Sequence, residues 1–387
     1  MRKRVLALGL GGALLAIAGA VPFLLAEGEG PVSAPSVAAP AIPAGEHART
    51  LEALKPPKRA RPAIALLALN DSTEVADFLV AYGILRAADV ADVTVVAPEA
   101  GPVRLYPSLD LRVEAQATMR AFEERYPDGA DYVVVPAMEP RDDARAMAWL
   151  KAQHAKGAKI VSICNGALTL AAAGLLDGRR ATGHWSEIQG LQKRHPTLKW
   201  VADRRYVVDG GVLTSTGVSA SIPVALTLIE AIGGRAPAEK VAKVVGVAEW
   251  DARHATRAFQ LTHEHRKTFL RNKMTIWRHE TLGLPVERDI DEIALGLTVD
   301  AYSRTEMTRL MTVGPNGEGV RSRYGLVIYP DAPPGAATVD AMLPAPPADA
   351  VAQTLERELA RMVNRYDRPT AAFVALTMEY PWTGEFR

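Results

Sequence analysis

Short runs of consecutive apolar residues alternate with helix-forming segments over residues 61–235, and this alternation constrains the fold more than any other feature. Tyr132-Val-Val-Val135 and Ile160-Val-Ser-Ile163 are apolar almost throughout. Strands of this kind belong to parallel sheets that helices cover on both faces. The pattern therefore predicts an α/β domain with a doubly wound, mostly parallel sheet.

The boundaries of the predicted elements follow from where each pattern starts and stops. Gly233-Gly234 ends the last helix of this domain. The predicted strands span residues 63–69, 93–97, 132–136, 159–163 and 212–216, and the predicted helices span residues 73–88, 141–155 and 219–232.

The N-terminal segment has the composition of an export signal or a membrane anchor. Arg2-Lys3-Arg4 precedes 22 uncharged residues, Val5 to Ala26. Ala18-Gly-Ala20 is a site of the kind that signal peptidase accepts, but the run is also long enough to span a bilayer, so both alternatives stay open. In either case we expect the rest of the chain to face outward, in the periplasm or anchored to the inner membrane. Residues 27–60 are rich in Pro, Ala and Gly and are expected to form a semi-rigid linker.

Composition limits the other classes of function. The 387 residues hold 45 Lys and Arg against 44 Asp and Glu, so no overall positive field favours nucleic acid as a partner. A single cysteine excludes an intrachain disulfide framework and a cysteine-cluster metal site. We expect no cofactor and no metal, and a small molecule as the ligand or substrate.

The region after residue 235 is expected to differ from the first domain. Residues 236–284 are predicted to be a helical connector, with one long helix over residues 238–278. Residues 285–387 are predicted to form a small α/β region, with a helix over 351–365 and a strand over 370–378. Segments 290–304 and 320–330 resemble segment 74–86 and the paired strands that follow it; a degenerate half-repeat and the chance similarity of α/β segments both remain open as explanations.

Cys164 is the candidate nucleophile of the chain. A buried strand stops at this residue and an Ala/Leu-rich helix starts immediately after it, with Gly166 where a side chain would obstruct the turn. This arrangement is typical of a nucleophile elbow. Because the sulfur would lie near a helix N-terminus, we expect an unusually acidic thiol.

The motifs around Cys164 resemble those of the DJ-1/PfpI superfamily, within the class I glutamine amidotransferase-like, flavodoxin-like fold. Arg179-Arg-Ala-Thr-Gly-His-Trp185 and Thr214-Ser-Thr-Gly-Val-Ser-Ala220 are similar to motifs of isonitrile hydratases and of amidotransferase-like domains in AraC-type regulators. The resemblance covers residues 61–235, less than half of the chain.

The resemblance implies further site residues. His184 would assist at the nucleophile, and Asp77 would be the acid that points at the sulfur, with Glu74 as the competing candidate. A carboxyl group desolvated beside sulfur should have a raised pKa. The substrate or oxyanion pocket is expected to include Ala137, Asn165, Gly166 and Gly217, although Pro136-Ala-Met-Glu-Pro140 stands where the family usually has Gly-Gly after the proline.

Two functions remain open at this point. The first is a cysteine-dependent hydratase, lyase or hydrolase that acts on a small electrophile such as an isonitrile or a reactive aldehyde. The second is a non-catalytic module for ligand binding or redox sensing. The half-repeat is expected to cover the face on which members of the superfamily usually dimerise, and a homodimer stays open as a partner.

Overall fold

The computed structural model describes residues 38–315, 319–336 and 338–384. The predicted export signal or anchor therefore lies outside the described residues. None of the helices in these three ranges combines the length and the apolar character needed to cross a bilayer.

The described elements have the following bounds. The strands are β1 (Ala63–Leu67), β2 (Thr73–Glu74), β3 (Asp92–Ala97), β4 (Pro102–Tyr106), β5 (Arg112–Glu114), β6 (Ala117–Thr118), β7 (Tyr132–Val135), β8 (Lys159–Ser162), β9 (Arg180–Ala181), β10 (Lys199–Trp200), β11 (Tyr206–Asp209), β12 (Val212–Ser215), β13 (Glu280–Pro285), β14 (Thr308–Val313), β15 (Val320–Arg321), β16 (Val327–Tyr329) and β17 (Ala341–Met342). The helices are α1 (Glu46–Leu54), α2 (Val75–Ala88), α3 (Met119–Arg125), α4 (Ala144–Ala155), α5 (Gly166–Ala172), α6 (Ile188–Arg194), α7 (Ser221–Gly233), α8 (Arg235–Val245), α9 (His263–Met274), α10 (Glu292–Ser303), α11 (Thr354–Arg365) and α12 (Arg368–Thr377).

The central sheet confirms the predicted fold class. Its described strands follow the order β11-β12-β8-β7-β1-β3-β6, and β11 is the one that runs antiparallel to its neighbour. Side chains of β1 alternate between two apolar cores: Ile64 and Leu66 face one, and Ala65 and Leu67 face the other. Because helices cover both faces, the strands carry few polar side chains.

The two halves of the described chain share an order of elements, which is the order that the half-repeat prediction requires. In the first half β1, α2 and β3 are followed by the antiparallel pair β4 and β5; in the second half β13, α10 and β14 are followed by the antiparallel pair β15 and β16. β1 pairs parallel to β3, and β13 pairs parallel to β14. The predicted order of helix and strand is therefore found, and no elbow cysteine lies in the second half, because Cys164 is the single cysteine of the chain.

The two halves pack through their equivalent helices. A Cβ atom on Gly83 of α2 would lie 2.6 Å from Cγ1 of Ile293, and one on Gly296 of α10 would lie 3.0 Å from Cβ of Leu79. Glycine at both positions thus permits the close approach of α2 and α10. In addition, β16 pairs with β5, so a single sheet crosses between the halves.

The predicted linker over residues 27–60 is wrong for its second part. Residues 46–54 form α1, which packs on the domain with Leu54 fully buried. The hydroxyl of Tyr132 donates a hydrogen bond to the Leu54 carbonyl (2.6 Å), and Glu46 pairs with Arg204. Tertiary contacts therefore order a segment that has a weak apolar pattern of its own.

The predicted helix over residues 238–278 is also wrong, since α8 and α9 are separate helices. Gly246, at φ 84°, ends α8 in the left-handed region. The following segment is held against the sheet, because the Arg205 amide donates to the Ala252 carbonyl and the Tyr206 hydroxyl donates to the Trp250 carbonyl.

The strand predicted over residues 370–378 is instead helix α12. Asp367 caps this helix by accepting a hydrogen bond from the Thr370 amide (2.8 Å), and a proline follows in the first turn. The β-branched and aromatic residues that suggested a strand are buried on the helix instead.

Candidate active site

Cys164 lies on a nucleophile elbow, as the sequence predicts. It follows β8, precedes α5 and has φ 52°, in the left-handed region. Its amide donates to the Thr216 carbonyl (3.1 Å) and to Oγ of Ser215 (3.3 Å), which ties the elbow to the end of β12. The residue is 4% exposed.

β7 lies so close to residue 166 that no side chain fits there, and glycine is therefore required at this position. A Cβ atom at this position would lie 2.1 Å from the Val135 carbonyl oxygen. Real Cβ atoms do not come this close to backbone oxygen, so any other residue would displace the start of α5. The role of Gly166 is therefore to let the elbow turn beneath β7.

The first turn of α2 brings two carboxyl groups to the site. The side chain of Glu74 caps the helix by accepting a hydrogen bond from the Asp77 amide (2.6 Å). Oδ2 of Asp77 accepts a hydrogen bond from the Ala137 amide (3.1 Å). Burial raises the pKa of Asp77 to about 7, and it raises the pKa of Glu74 well above its usual range.

A cation from the second half of the chain reaches the same site. Nε of Arg304 donates to Oδ1 of Asp300 (2.7 Å), and a terminal nitrogen of Arg304 lies 3.7 Å from Oε1 of Glu74. The positive charge of Arg304 lowers the pKa of both Asp77 and Cys164. Sequence reasoning missed this residue. The signal available in the sequence was the similarity of segment 290–304, which ends at this residue, to segment 74–86, which contains Glu74 and Asp77.

The expectation of an acidic thiol is wrong in this structure. Burial raises the pKa of Cys164 well above its usual value, and the negative charges of Asp77 and Glu74 raise it further. The Arg304 charge and the hydrogen bond from the Asn165 amide act in the opposite direction but are smaller than burial. The helix N-terminus that should favour the thiolate is thus outweighed by desolvation.

Several residues linked to Cys164 carry a buried oxygen atom without a hydrogen-bond partner. Each lies on a residue that contacts Cys164, follows it or acts on it by its charge. These atoms are Oε1 of Glu74, Oδ1 of Asp77, Oδ1 of Asn165 and Oγ1 of Thr216, as counted over the described residues. Buried polar atoms of native proteins normally have partners, so this set is suited to a polar ligand.

Ala137 and Gly217, which the resemblance assigns to the oxyanion pocket, both have their amides occupied. The Ala137 amide donates to Asp77, and the Gly217 amide donates to Oε2 of Glu379 (2.7 Å). Oε1 of Glu379 lies 3.0 Å from Nε2 of His254. Neither amide is therefore available to an oxyanion in this conformation.

His184 is buried, but its ring is held by other groups. Nδ1 lies 2.8 Å from Oγ of Ser186, and Nε2 lies 3.0 Å from the Thr377 carbonyl oxygen. Burial lowers the pKa of His184. No hydrogen bond joins this ring to Cys164 among the described residues, so the structure places His184 beside the site without bringing it to the sulfur.

Tyr106, at the end of β4, is a second residue that sequence reasoning missed. Burial raises the pKa of its hydroxyl well above the usual value, and the charges of Glu74, Asp77 and Cys164 add to this effect. The phenol is therefore a neutral group that faces the site. No motif marked it, because a tyrosine in a short strand is usually a packing residue.

The described residues do not contain a group of three or more His, Cys, Asp or Glu side chains arranged to hold a metal ion. The chemistry that this buried cluster of polar groups supports is proton transfer coupled to nucleophilic attack by the Cys164 sulfur as the thiol loses its proton. Carboxyl groups of raised pKa supply the protons, and Arg304 supplies the fixed positive charge.

Comparison with known proteins gives the same assignment for the first domain. Residues 63–231 match the model of the DJ-1/PfpI family. The chain is 39% identical to the isonitrile hydratase of Pseudomonas putida over 109 residues, which are 28% of this chain and 44% of that protein. It is 43% identical to the HTH-type transcriptional regulator CdhR of Pseudomonas aeruginosa over 81 residues, 21% of this chain and 24% of the regulator.

The matched segments span less than half of the length of either curated relative. Among solved structures, the crystal structure of DJ-1beta from Drosophila melanogaster is similar to the structure of this chain, with a TM-score of 0.42 and 24% sequence identity. This match covers 49% of this chain and 100% of that one.

Proposed function

Residues 63–231 form a domain of the DJ-1/PfpI family, and from this premise we propose that the chain is a cysteine-dependent enzyme that adds water to a small electrophile. The observation that carries the proposal is that the buried carboxyl group of Asp77 lies close enough to the elbow Cys164 for its charge to raise the pKa of the thiol. The Ala137 amide orients this carboxyl group, and its pKa of about 7 lets it hold a proton near neutral pH. The similarity to an isonitrile hydratase supports an isonitrile as the first substrate to test.

The proposed reaction proceeds by proton transfer from Asp77 and attack by sulfur. The Asp77 carboxyl gives its proton to the terminal carbon of the isonitrile, and Sγ of Cys164 forms a bond to the same carbon. The thiol proton passes to the Asp77 carboxylate, which leaves a covalent thioimidate. Water then adds across the C=N bond, with its oxygen on carbon and one proton on nitrogen; the C–S bond breaks, the remaining hydroxyl proton passes to sulfur, and an N-substituted formamide leaves.

The residues around the sulfur suit this sequence of steps. The thiol need not be ionised beforehand, because its proton leaves as the C–S bond forms. Arg304 stabilises the carboxylate that Asp77 becomes, since its charge lowers the pKa of Asp77. The burial of Cys164 limits the substrate to a small molecule and keeps bulk water away from the thioimidate.

The test is turnover by the full chain with isonitriles, 2-oxoaldehydes and amides, with products identified by mass spectrometry. We expect formamide from an isonitrile with the wild type and none with Cys164→Ala or Asp77→Asn. Asp71→Asn is the matched control, because Asp71 is an exposed carboxylate near Asp77 in sequence. Turnover by Cys164→Ala equal to that of the wild type would contradict the proposal.

Ligand binding without catalysis is the second candidate function. It is favoured by the burial of Cys164 and by Glu379, which occupies the amide of the predicted pocket residue Gly217. Saturable binding of one of the same compounds without any product, in wild type and Cys164→Ala alike, would support this candidate over the enzyme.

We further propose that the chain is exported and faces the periplasm, either free or anchored in the inner membrane. Support comes from the charged residues 2–4 and the uncharged run 5–26. Cell fractionation and N-terminal sequencing of the purified protein test this location. A full-length species found mainly in the cytoplasm would contradict it.

A further inference from the structure

Large apolar side chains that are exposed in the described residues concentrate in one short segment. Six such side chains are exposed, and four of them lie between residues 270 and 277. The four are Leu270 (43% exposed), Met274 (71%), Ile276 (70%) and Trp277 (78%), and we call them the apolar patch. Clustering of this kind marks an interaction surface, whereas single exposed apolar residues are ordinary.

The apolar patch lies on the outward side of α9 and on the 3-10 turn that follows it. Leu270 and Met274 are four residues apart and so share one face of the helix. Phe269 lies on the inner side, where its ring packs 5.9 Å from that of Phe373. The turn Ile276–Arg278 follows α9 directly and has no buried residue. The outward face of this segment is therefore apolar over about two turns of chain.

Positive charge surrounds the apolar patch. Residues 263–279 contain five Lys and Arg against one acid, Glu264. Lys267 pairs with Glu264, and Arg271 pairs with Asp367. Lys273 and Arg278 are exposed, and neither has an ion pair with any described residue. Asp367 and Glu306 are carboxyl groups that face this region from outside the segment; burial raises the pKa of Glu306, and the charges of Lys273 and His279 oppose that rise.

We propose that the apolar patch docks on the surface of a bilayer that contains anionic phospholipid. A tryptophan and aliphatic side chains flanked by Lys and Arg have the composition of an interfacial membrane site. The cations would contact the phosphate groups while Trp277, Ile276 and Met274 enter the headgroup region. Anionic lipid complements the charge on this face.

The sequence supplies an independent reason to place a bilayer there. The uncharged run 5–26 is long enough to hold the chain at a membrane. Residues 27–37, between this run and the described part of the chain, can extend over at most about 40 Å, so the run would hold the apolar patch in the neighbourhood of the same bilayer. A second copy of this chain is a poorer occupant, because a symmetric interface would bring the same cations close to their own copies.

The experiment places an environment-sensitive fluorophore on the full chain in a Cys164→Ser background. One variant carries it at Trp277→Cys and the matched control carries it at Met342→Cys, an exposed apolar residue outside the patch (51%). Both variants share the N-terminal run, so their difference reports the patch alone. Vesicles of phosphatidylcholine with and without phosphatidylglycerol are added, and quenching by spin-labelled lipid is recorded.

We expect at least about threefold more quenching at position 277 than at position 342, with a blue shift that requires phosphatidylglycerol and weakens at high salt. A further Lys273→Glu and Arg278→Glu change should reduce the quenching at 277. Equal quenching at the two positions would overturn the proposal. It would also be overturned by a blue shift at 277 that grows with protein concentration without vesicles, since that result shows a second copy on the patch.

Discussion

The amide of Gly217 donates a hydrogen bond to Oε2 of Glu379 across 2.7 Å. This contact joins a predicted pocket residue of the family domain to the C-terminal end of the described chain. A Cβ atom on Gly217 would lie 2.7 Å from Cβ of Glu379 and 2.9 Å from Cδ2 of His184, so the two parts meet in close packing. The second half of the chain therefore forms one wall of the site, through Glu379 as well as Arg304.

The first prediction concerns the stability that Glu379 provides. Replacement Glu379→Ala leaves the Gly217 amide and the His254 ring without their buried partner and should lower the free energy of unfolding by about 2–4 kcal/mol. Glu379→Gln keeps one acceptor and should lower it by about half as much. Urea unfolding measures both. Glu52→Ala, at an exposed ion pair, should change stability by less than about 0.5 kcal/mol.

The second prediction tests the steric reason for Gly166. A methyl group in Gly166→Ala would overlap the Val135 carbonyl, so we expect a loss of about 3 kcal/mol or more and loss of activity. Gly183→Ala is the matched control, because the nearest atom to its new Cβ is Cδ2 of Leu191 at 3.7 Å. Equal stability of the two variants in urea would show that α5 can shift freely.

Much of the first domain could be predicted from sequence because local and tertiary preferences agree there. Strands such as Tyr132–Val135 are buried on both faces, so their unbroken run of apolar residues directly indicates a fully buried strand. The elbow at Cys164 was predictable for the same reason: a buried strand, a tight turn and a helix follow one another without interruption. The structure of a segment can be predicted when its local propensity and its tertiary environment favour the same conformation.

The structure of the second half was harder to predict from sequence because tertiary contacts and helix capping, rather than local propensity, determine it. Asp367 makes residues 368–377 a helix by capping them, although their β-branched residues suggested a strand. Likewise, Arg304 joins the site through the packing of α10 on α2, which no local pattern reveals. The thiol pKa was predicted in the wrong direction because sequence cannot show that Cys164 is 4% exposed.

The third prediction concerns the pH dependence of stability. Burial on folding raises the pKa of Asp77 from its ordinary value of 3.8 to about 7, so the folded chain binds this proton more tightly than the unfolded chain. The associated stability is fully present below about pH 4 and is lost as pH rises through about 7, with a total of about 4 kcal/mol. Asp77→Asn should remove this loss.

Urea unfolding at pH 5 and pH 8 provides the measurement. We expect the wild type to lose more stability between these two pH values than Asp77→Asn does, because the variant carries no proton to release. Glu292, whose pKa is also raised to about 7, contributes equally to both proteins and cancels in the comparison. Asp71→Asn should behave as the wild type. Parallel pH profiles for wild type and Asp77→Asn would contradict the assignment.

The fourth prediction concerns Arg304. Arg304→Met keeps much of the side-chain volume but removes the cation that pairs with Asp300 and lies near Glu74, which leaves buried carboxyl groups uncompensated. We expect a loss of about 3–5 kcal/mol at pH 8 and a smaller loss at pH 5, because burial raises the pKa of Glu74 well above its usual range and favours its neutral form there. Arg120→Ala, in an exposed helical ion pair, is the control and should cost less than about 0.5 kcal/mol.

The fifth prediction concerns the reactivity of Cys164. Because burial and two carboxylates raise the pKa of its thiol, alkylation by iodoacetamide in the native protein should be slow at pH 7 and should still increase with pH above 9. Asp77→Asn removes one of the negative charges that oppose ionisation, so the thiol should react faster than in the wild type at pH 9. Arg304→Met removes the opposing positive charge and should make the alkylation of Cys164 slower.

Because poor folding would also change the alkylation rate, each variant is compared at a pH where circular dichroism shows the wild-type spectrum. Rapid alkylation of the wild type at pH 7, with a midpoint below about 8.5, would mean that the helix N-terminus outweighs desolvation.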